Sequence, residues 1–461
     1  MVRGSSTVAL SFYKVVNLMK ITRSRYYLSL AAFILFLALL LVSLVDIRRG
    51  FLFSGYFKVG APSVLFNLNL LHVPLILFGL LGAWLTYKHI RQLEAGLNKA
   101  NISLQTPAKI VAVIIGLLLV VDLFIYRGVP TLRTIATGEM AVGPGTLGLG
   151  WAIPVDSLPT WLQPFGEGIS YMLIVWHATL LGMLLGGLFL VAGASIIGVI
   201  MKGSGFRSHL AGAAMALAQP FCSCCAAPVG SALYRKGASL GPVLAFTVSS
   251  PMLNITSLIL AIVLLPAKFA LLRILAGIVV GVFITYAVSI LAESWASKNE
   301  TRPGKLSGWA TALISAYSRF FHFESLFSEA AVSSPGTLIS NWLSMAWKLA
   351  RVMIPVLIIG AILASYIVRA TPNAGNTLPG VIITSIFATL LMAPTWTEIP
   401  LAARFINDGL TGIAAVVLIA LPAVSLPSLI IIAGAVRSLK VAIILGLAVF
   451  VAAVLAGIAF L

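Results

Sequence analysis

All three cysteines of the 461-residue chain lie in one short stretch, QPFCSCCAAP. Cys222, Cys224 and Cys225 stand there between Pro220 and Pro228. Thiolate sulfur is a soft ligand that suits Cu(I), Zn(II) or a trivalent metalloid. A buried cysteine also behaves as a small apolar residue, but three together between two helix breakers favour a thiophilic site. The spacing C-x-C-C, on an irregular backbone, predicts that two or three sulfurs bind one solute or metal ion.

Glu398 is the second residue that could do chemistry. It stands two positions before Pro400 in the largely apolar stretch MAPTWTEIPLAARF. A carboxylate inside a membrane is costly, and such groups usually carry protons or pair with cations. Glu398 is therefore predicted as a proton-coupling residue, with a shallow, water-exposed position as the alternative. Trp396 either lines the same site or only packs.

Polar residues also interrupt two later apolar runs, each time just after a proline. They are Asn254 and Ser257 in the first run, and Ser425 and Ser428 in the second. These groups either contact a solute or only satisfy backbone groups that the break frees. The sequence favours neither interpretation.

The composition places all these residues in a membrane. Hydrophobic residues make up 60% of the chain and charged residues 9%, with a mean hydropathy of +1.08, whereas soluble domains are about 25% charged. Runs of roughly 20 apolar residues cross a bilayer as helices. The fold class is therefore an all-α polytopic membrane protein. The nine predicted spans lie near residues 27–46, 63–87, 107–126, 168–201, 239–265, 269–292, 342–369, 411–436 and 440–461.

The apolar stretches around the cysteines and around Glu398 are too short to be spans. Residues 208–218 and 226–234 each reach about 14 to 17 Å, half of a hydrocarbon core of about 30 Å. The region around the cysteines and the region around Glu398 are each predicted to form a re-entrant helical hairpin with its tip near the midplane. Pro228 and Gly237 are separated by the same distance in sequence as Pro400 and Gly409. When one gap is allowed, the break at Pro251 also aligns with the break at Pro422. This similarity predicts an inverted internal repeat with its site between the copies.

The net charge of +18 does not indicate nucleic-acid binding, because the basic residues flank the apolar runs. With the N-terminus in the cytoplasm, 21 of the 30 Lys and Arg residues lie inside and nine, including Arg273, lie outside. This asymmetry supports a multi-pass membrane protein with a cytoplasmic N-terminus, surrounded by the lipid bilayer. No G-x-x-x-x-G-K-[ST] loop occurs, which excludes ATP-driven transport by this chain.

The stretch PFCSCCAAPVGSALYRKGASLGPVLAFTVSSPMLN resembles the signature of the YraQ/ArsP family of predicted permeases. PTWTEIPLAARFINDGLTGIAAVVLIALPAVSLPSL is similar to that family's second copy. The resemblance covers about residues 168–461. It implies an inner-membrane permease, and the ArsP branch exports trivalent organoarsenicals. By position, Cys222, Cys224 and Pro228 match the first motif, and Glu398 and Pro400 match the second.

One departure from this family affects the substrate. Many members carry a second C-x-C in the later copy, where this sequence has Pro394 and Trp396. A four-thiol site is therefore excluded, whereas Cys225 adds a thiol beside the first pair.

Four regions are expected along the chain. Residues 1–166 hold three spans and an external loop, 167–292 the first repeat with the cysteine hairpin, 293–340 a cytoplasmic linker, and 341–461 the second repeat. The expected function is secondary-active export of a small thiophilic solute, such as a trivalent organoarsenical or a soft metal ion, coupled to protons. No enzymatic activity and no cofactor are expected, and the sequence allows a homo-oligomer.

Two alternatives stay open at this point. The first alternative is an importer of a small sulfur-containing anion, which thiol contacts and the positive ends of half-helices would bind. Alternatively, it is a membrane thiol-redox or metal-binding protein, although C-S-C-C lacks the C-x-x-C spacing of common dithiol oxidoreductases.

Overall fold

The computed structural model describes residues 4–53, 57–59, 66–137, 153–193, 200–203, 205–217, 221–235, 237–292, 332–370, 375–391 and 398–461. These residues are mostly helical. Two three-residue strands, Phe57–Val59 (β1) and Phe66–Leu68 (β2), pair with each other. The prediction of an all-α polytopic membrane protein is confirmed.

Sixteen helices are defined within these ranges. In chain order they are α1 Gly4–Arg49, α2 His72–Lys99, α3 Gln105–Thr137, α4 Gln163–Leu188, α5 Phe206–Leu217, α6 Ser223–Arg235, α7 Leu240–Met252, α8 Ile255–Leu264, α9 Ala267–Ile278, α10 Thr285–Ala292, α11 Pro335–Ala370, α12 Leu378–Leu390, α13 Glu398–Asn407, α14 Thr411–Ala423, α15 Leu426–Val436 and α16 Leu439–Ala459. A 3-10 turn forms at Val155–Ser157, and π-helical turns form at Phe189–Gly193 and Val279–Ile284.

Nine segments of the described residues are long and apolar enough to cross a bilayer, as predicted. Two of them are broken helices: α7 and α8 share one span, and α14 and α15 share another. Large apolar side chains on the outer faces, such as Leu77, Leu271 and Leu455, are more than half exposed. Such faces suit contact with lipid, since helices satisfy their own backbone groups. The nine segments are Thr22–Arg49, His72–Lys99, Gln105–Tyr126, Val175–Gly193, Leu240–Leu264, Ala267–Ala292, Pro335–Ile359, Thr411–Val436 and Leu439–Ala459.

Four helices are too short to be spans. Helices α5, α6, α12 and α13 have 12, 13, 13 and 10 residues. At about 1.5 Å per residue they reach roughly 15 to 20 Å, well under a core of about 30 Å. They lie where the sequence predicts two hairpins, α5 with α6 and α12 with α13. Re-entry into the membrane stays a prediction.

The chain divides into two compact units. The first comprises the described parts of Met1–Lys58, Phe66–Leu123 and Ala330–Leu343. Here α1 packs along α2, and the buried Glu94 carboxylate accepts hydrogen bonds from Tyr26 Oη at 3.0 Å and from the Gly336 amide at 2.8 Å. Glu94 thus satisfies an amide that the start of α11 leaves without a helical partner. The expected linker, 293–340, lies mostly outside the described residues.

The second unit comprises the described parts of Val59–Leu65, Phe124–Glu329 and Ser344–Leu461. Its centre is formed by α7 and α14, which are apolar on all sides and buried along almost their whole length. A helix of that composition is stable only when other helices surround it. Accordingly, α7 packs against α5, α6 and α10, and α14 packs against α12, α13 and α16. These two central helices position the short helices that carry the candidate site.

Candidate functional site

The cysteine segment forms the start of α6. Cys222 precedes the helix, and its carbonyl accepts a hydrogen bond from the Ala226 amide at 2.9 Å. Its side chain is partly buried and packs against the apolar core. The backbone of Cys224 and Cys225 is helical, so the expected irregular backbone at these two residues is wrong. Their side chains lie outside the described residues.

Pro228 lies inside α6 and is buried. A proline within a helix cannot donate to the carbonyl four residues earlier, and that carbonyl belongs to Cys224. Pro228 is the sixth residue of α6, so this bond is missing from the second turn while the helix continues to Arg235. The result is a backbone acceptor, freed from the helical ladder, at one of the three cysteines.

Both broken spans are held by polar groups at the break. At the α7–α8 break, Ser257 Oγ donates to the Asn254 carbonyl at 2.9 Å, and both residues are buried. At the α14–α15 break, Ser425 and Ser428 form a capping box: the Ser425 amide donates to Ser428 Oγ at 2.8 Å, and the Ser428 amide donates to Ser425 Oγ at 3.4 Å. These bonds serve the freed backbone groups. Contact with a solute stays a prediction for all four residues.

A hydrogen bond connects the cysteine segment to the second break. The hydroxyls of Ser223 and Ser425 lie 3.3 Å apart, and both side chains are buried. Ser223 stands between Cys222 and Cys224, at the N-terminus of α6, and Ser425 caps the N-terminus of α15. Two helix N-termini therefore meet beside the cysteines. Helix N-termini carry partial positive charge and attract anionic groups.

Glu398 begins α13 and pairs with an arginine that lies 125 residues earlier in the chain. Arg273 Nη2 lies 3.1 Å from Glu398 Oε1, and the two side chains are 0% and 1% exposed. The same nitrogen donates to the Pro251 carbonyl at 3.0 Å, and Nη1 lies 3.3 Å from Met252 Sδ. The alternative of a water-exposed Glu398 does not fit this burial. Pro400 is buried in the first turn of α13, where proline is tolerated.

Arg273 is the site residue that reasoning from the sequence misses. The charge count places it among the nine basic residues outside the membrane, but it lies fully buried in α9. The available signal is its position within the apolar run AKFALLRILAGIVV. Trp396 lies outside the described residues. Among the described side chains, no three His, Cys, Asp or Glu groups are placed to hold a metal ion, and that statement does not extend to the thiols of Cys224 and Cys225.

Comparisons with known proteins agree on a single family. Residues 168–461 match the family ArsP_1, described as a predicted permease. The chain is 30% identical over 278 residues to the UPF0718 protein YraQ of Escherichia coli strain K12, which covers 59% of this chain and 73% of that protein. It is 25% identical over 273 residues to the UPF0718 protein MJ0584 of Methanocaldococcus jannaschii, covering 50% of this chain and 75% of that protein. No solved structure matches.

The family match includes the cysteine segment, both broken spans and the Arg273–Glu398 pair, all within a multi-pass helical membrane protein. The chain belongs to the ArsP_1 family of predicted permeases.

Proposed function

We propose that this permease is a secondary-active exporter of a small thiophilic solute, such as a trivalent organoarsenical or a soft metal ion, and that proton uptake at Glu398 drives the export. Cys222, Cys224 and Cys225 bind the soft atom. Asn254, Ser257, Ser425 and Ser428 border the solute at the two breaks, together with Trp396. Pro228 and Pro400 shape the two short helices.

The Ser223–Ser425 hydrogen bond carries this proposal. It brings the cysteine-bearing start of α6 against the break between α14 and α15, which is 202 residues away along the chain. Transporters with inverted repeats bind their solutes at such places, where interrupted helices of the two copies meet. The packing is reciprocal: α6 of the first predicted repeat contacts α15 of the second, and α13 of the second contacts α8 of the first.

The proposed mechanism uses these paired contacts. The two halves rock against each other and expose the cysteines to one side of the membrane at a time. Glu398 takes up a proton from outside and gives it up inside while the solute moves outward. The thiols bind the soft atom reversibly, because thiolate ligands exchange on such centres.

Everted membrane vesicles test this proposal. We expect a proton gradient to drive accumulation of methylarsenite, a trivalent organoarsenical, and we expect the variant with Cys222→Ser, Cys224→Ser and Cys225→Ser to lose at least about nine-tenths of it, because serine oxygen is a poor ligand for soft centres. Ser231→Ala is the control, since it changes a buried polar side chain of the same helix without touching a cysteine. The control should transport normally. Equal uptake by wild type and the triple variant would remove the thiophilic site from the proposal.

One observation favours a second candidate, import of a small sulfur-containing anion. Arg273 is fully buried, and among the described residues its Nε has no hydrogen-bond partner. A buried guanidinium with a spare donor suits an anionic oxygen better than a cation. The response to membrane potential separates this anion from a soft metal cation: an inside-negative potential increases uptake of a cation and opposes uptake of an anion.

A further inference from the structure

We propose that Arg273 is the positioning residue of proton coupling. It holds α13 against the α7–α8 break while Glu398 is charged, and it releases α13 when Glu398 takes up a proton. This inference deepens the proposed proton coupling at Glu398 and rests on it.

The Arg273–Glu398 pair completes a row of groups whose charges alternate in sign. The C-terminus of α7 ends in carbonyls that carry partial negative charge, and one of them, Pro251, accepts from Arg273 at 3.0 Å. Arg273 in turn pairs with Glu398. Glu398 stands in the first turn of α13, where the helix carries partial positive charge. Each neighbour in this chain is thus of opposite sign, and Arg273 is the link between α7 and α13.

Among the described residues, the other charged groups on the helices around Glu398 have their own contacts. Helices α7, α8 and α14 contain no titratable side chain. On α9 the other charged residue, Lys268, lies over the rings of Phe269 and Phe460. Arg404 of α13 pairs with Asp408, which directly follows the helix, and both are about half exposed. Within this part of the structure, Arg273 therefore supplies the positive charge that balances Glu398.

A buried acidic residue before the proline occurs in the second copy of the proposed repeat and not in the first. Glu398 stands two residues before Pro400, and the residue two before Pro228 is Ala226, which is fully buried. In the proposed repeat α6 corresponds to α13, and it contains no acidic residue. Helix α16 corresponds to α9, and its sole charged residue is Lys440. The contact between α6 and α15 instead includes the Ser223–Ser425 bond and a hydrogen bond from Arg235 Nη2 to the Gly434 carbonyl at 3.4 Å, and neither bond involves a carboxylate. Proton uptake therefore weakens the α13 contact and leaves the α6 contact unchanged.

The direction of the release follows from the remaining bonds. When Glu398 becomes neutral, it no longer attracts Arg273 as an ion. Arg273 keeps its bond to the Pro251 carbonyl and its contact with Met252, so it stays with α7. The start of α13 is then the part that moves away from the α7–α8 break, while α13 keeps its packing against α14. A local opening of this kind exposes backbone amides to exchange with solvent.

Hydrogen–deuterium exchange of the purified full chain in nanodiscs tests this without any solute. In wild type we expect the α13 amides to exchange roughly tenfold faster at low pH than at high pH, within the range where the protein stays folded and after correction for the intrinsic chemical rate. The variant with both Glu398→Gln and Arg273→Gln removes both charges of the pair, so it should fold and show no acid-dependent step. The variant with both Arg404→Gln and Asp408→Asn is the matched control at the other end of α13, and it should keep the step.

Two results would overturn the role of Arg273. One is wild-type α13 exchange that does not change with pH after the correction. The other is an acid-dependent step that persists when Glu398→Gln and Arg273→Gln are combined. Because this measurement uses no solute, loss of the arsenical transport described above leaves it unaffected. Conversely, transport coupled to protons without an opening of α13 would retain the proposed function and remove this inference.

Discussion

At the scale of single residues, Arg273 and Glu398 each compensate the buried charge of the other. Bulk water cannot take the place of either partner, because the two side chains are 0% and 1% exposed. Removing one partner of a buried pair leaves an uncompensated charge and costs about 3 to 5 kcal/mol, whereas replacing both is often close to neutral. The exposed pair of Arg404 and Asp408, at 3.8 Å, contributes about 0 to 1 kcal/mol.

These energies predict a double-mutant cycle. Glu398→Gln and Arg273→Gln, made singly, should each lower the free energy of unfolding by about 3 kcal/mol, and the double variant should recover most of that loss. Arg404→Gln should change it by less than about 1 kcal/mol. Reversible unfolding in detergent micelles measures all four variants. Additive losses in the double variant would show that the two charges do not compensate each other.

Glu398 could be predicted from the sequence because an acidic residue in an apolar stretch stands out on its own. Arg273 could not, since its role depends on a partner 125 residues away. A basic residue near the end of an apolar run usually faces the membrane surface, and that general rule places Arg273 outside. The cysteines stand out by their clustering. Their local backbone could not be predicted, because two prolines suggest an irregular segment and the first turns of α6 accommodate the second of them.

At the scale of elements, two helix starts that carry the same residue type are capped differently. Ser425 accepts from the Ser428 amide and also contacts Ser223. Ser438, at the start of α16, makes no side-chain capping bond. The serine hydroxyl therefore stabilises α15 directly and does not cap α16.

Capping predicts different effects of the same substitution. Ser425→Ala should lower the free energy of unfolding by about 1 to 2 kcal/mol, because it removes the cap of α15 and the bond to α6. Ser438→Ala should lower it by less than about 0.5 kcal/mol, since no cap is lost. Thermal unfolding of the two variants in the same detergent compares them. Equal losses would mean that the Ser425 cap contributes little.

The spans themselves could be predicted from hydropathy alone. Their lengths are fixed by the bilayer, so an apolar run of the right length is sufficient. The positions of the two broken spans follow from their prolines, Pro251 and Pro422. What packs on each break could not be predicted, because α6 and α15 meet through tertiary contacts that no local pattern records. The Ser223–Ser425 bond is an example.

At the scale of the whole molecule, the region that matches the family also contains the helices that form the candidate site. Residues 168–461 match the predicted permease family, and the helices that carry both breaks and both short-helix pairs lie within it. The first unit gathers α1, α2 and the start of α11, with Glu94 buried among its contacts. The first three spans thus lie outside the family match, and most of their described residues belong to this separate unit.

Proton coupling at Glu398 is tested most directly by measuring proton flux in proteoliposomes. The purified protein is reconstituted with a pH-sensitive dye inside, and methylarsenite is added on one side with no initial proton gradient. We predict that solute movement drives a proton flux in the opposite direction in wild type. The variant with Glu398→Gln and Arg273→Gln should show no such flux. Movement of methylarsenite in wild type without any proton flux would contradict coupled export.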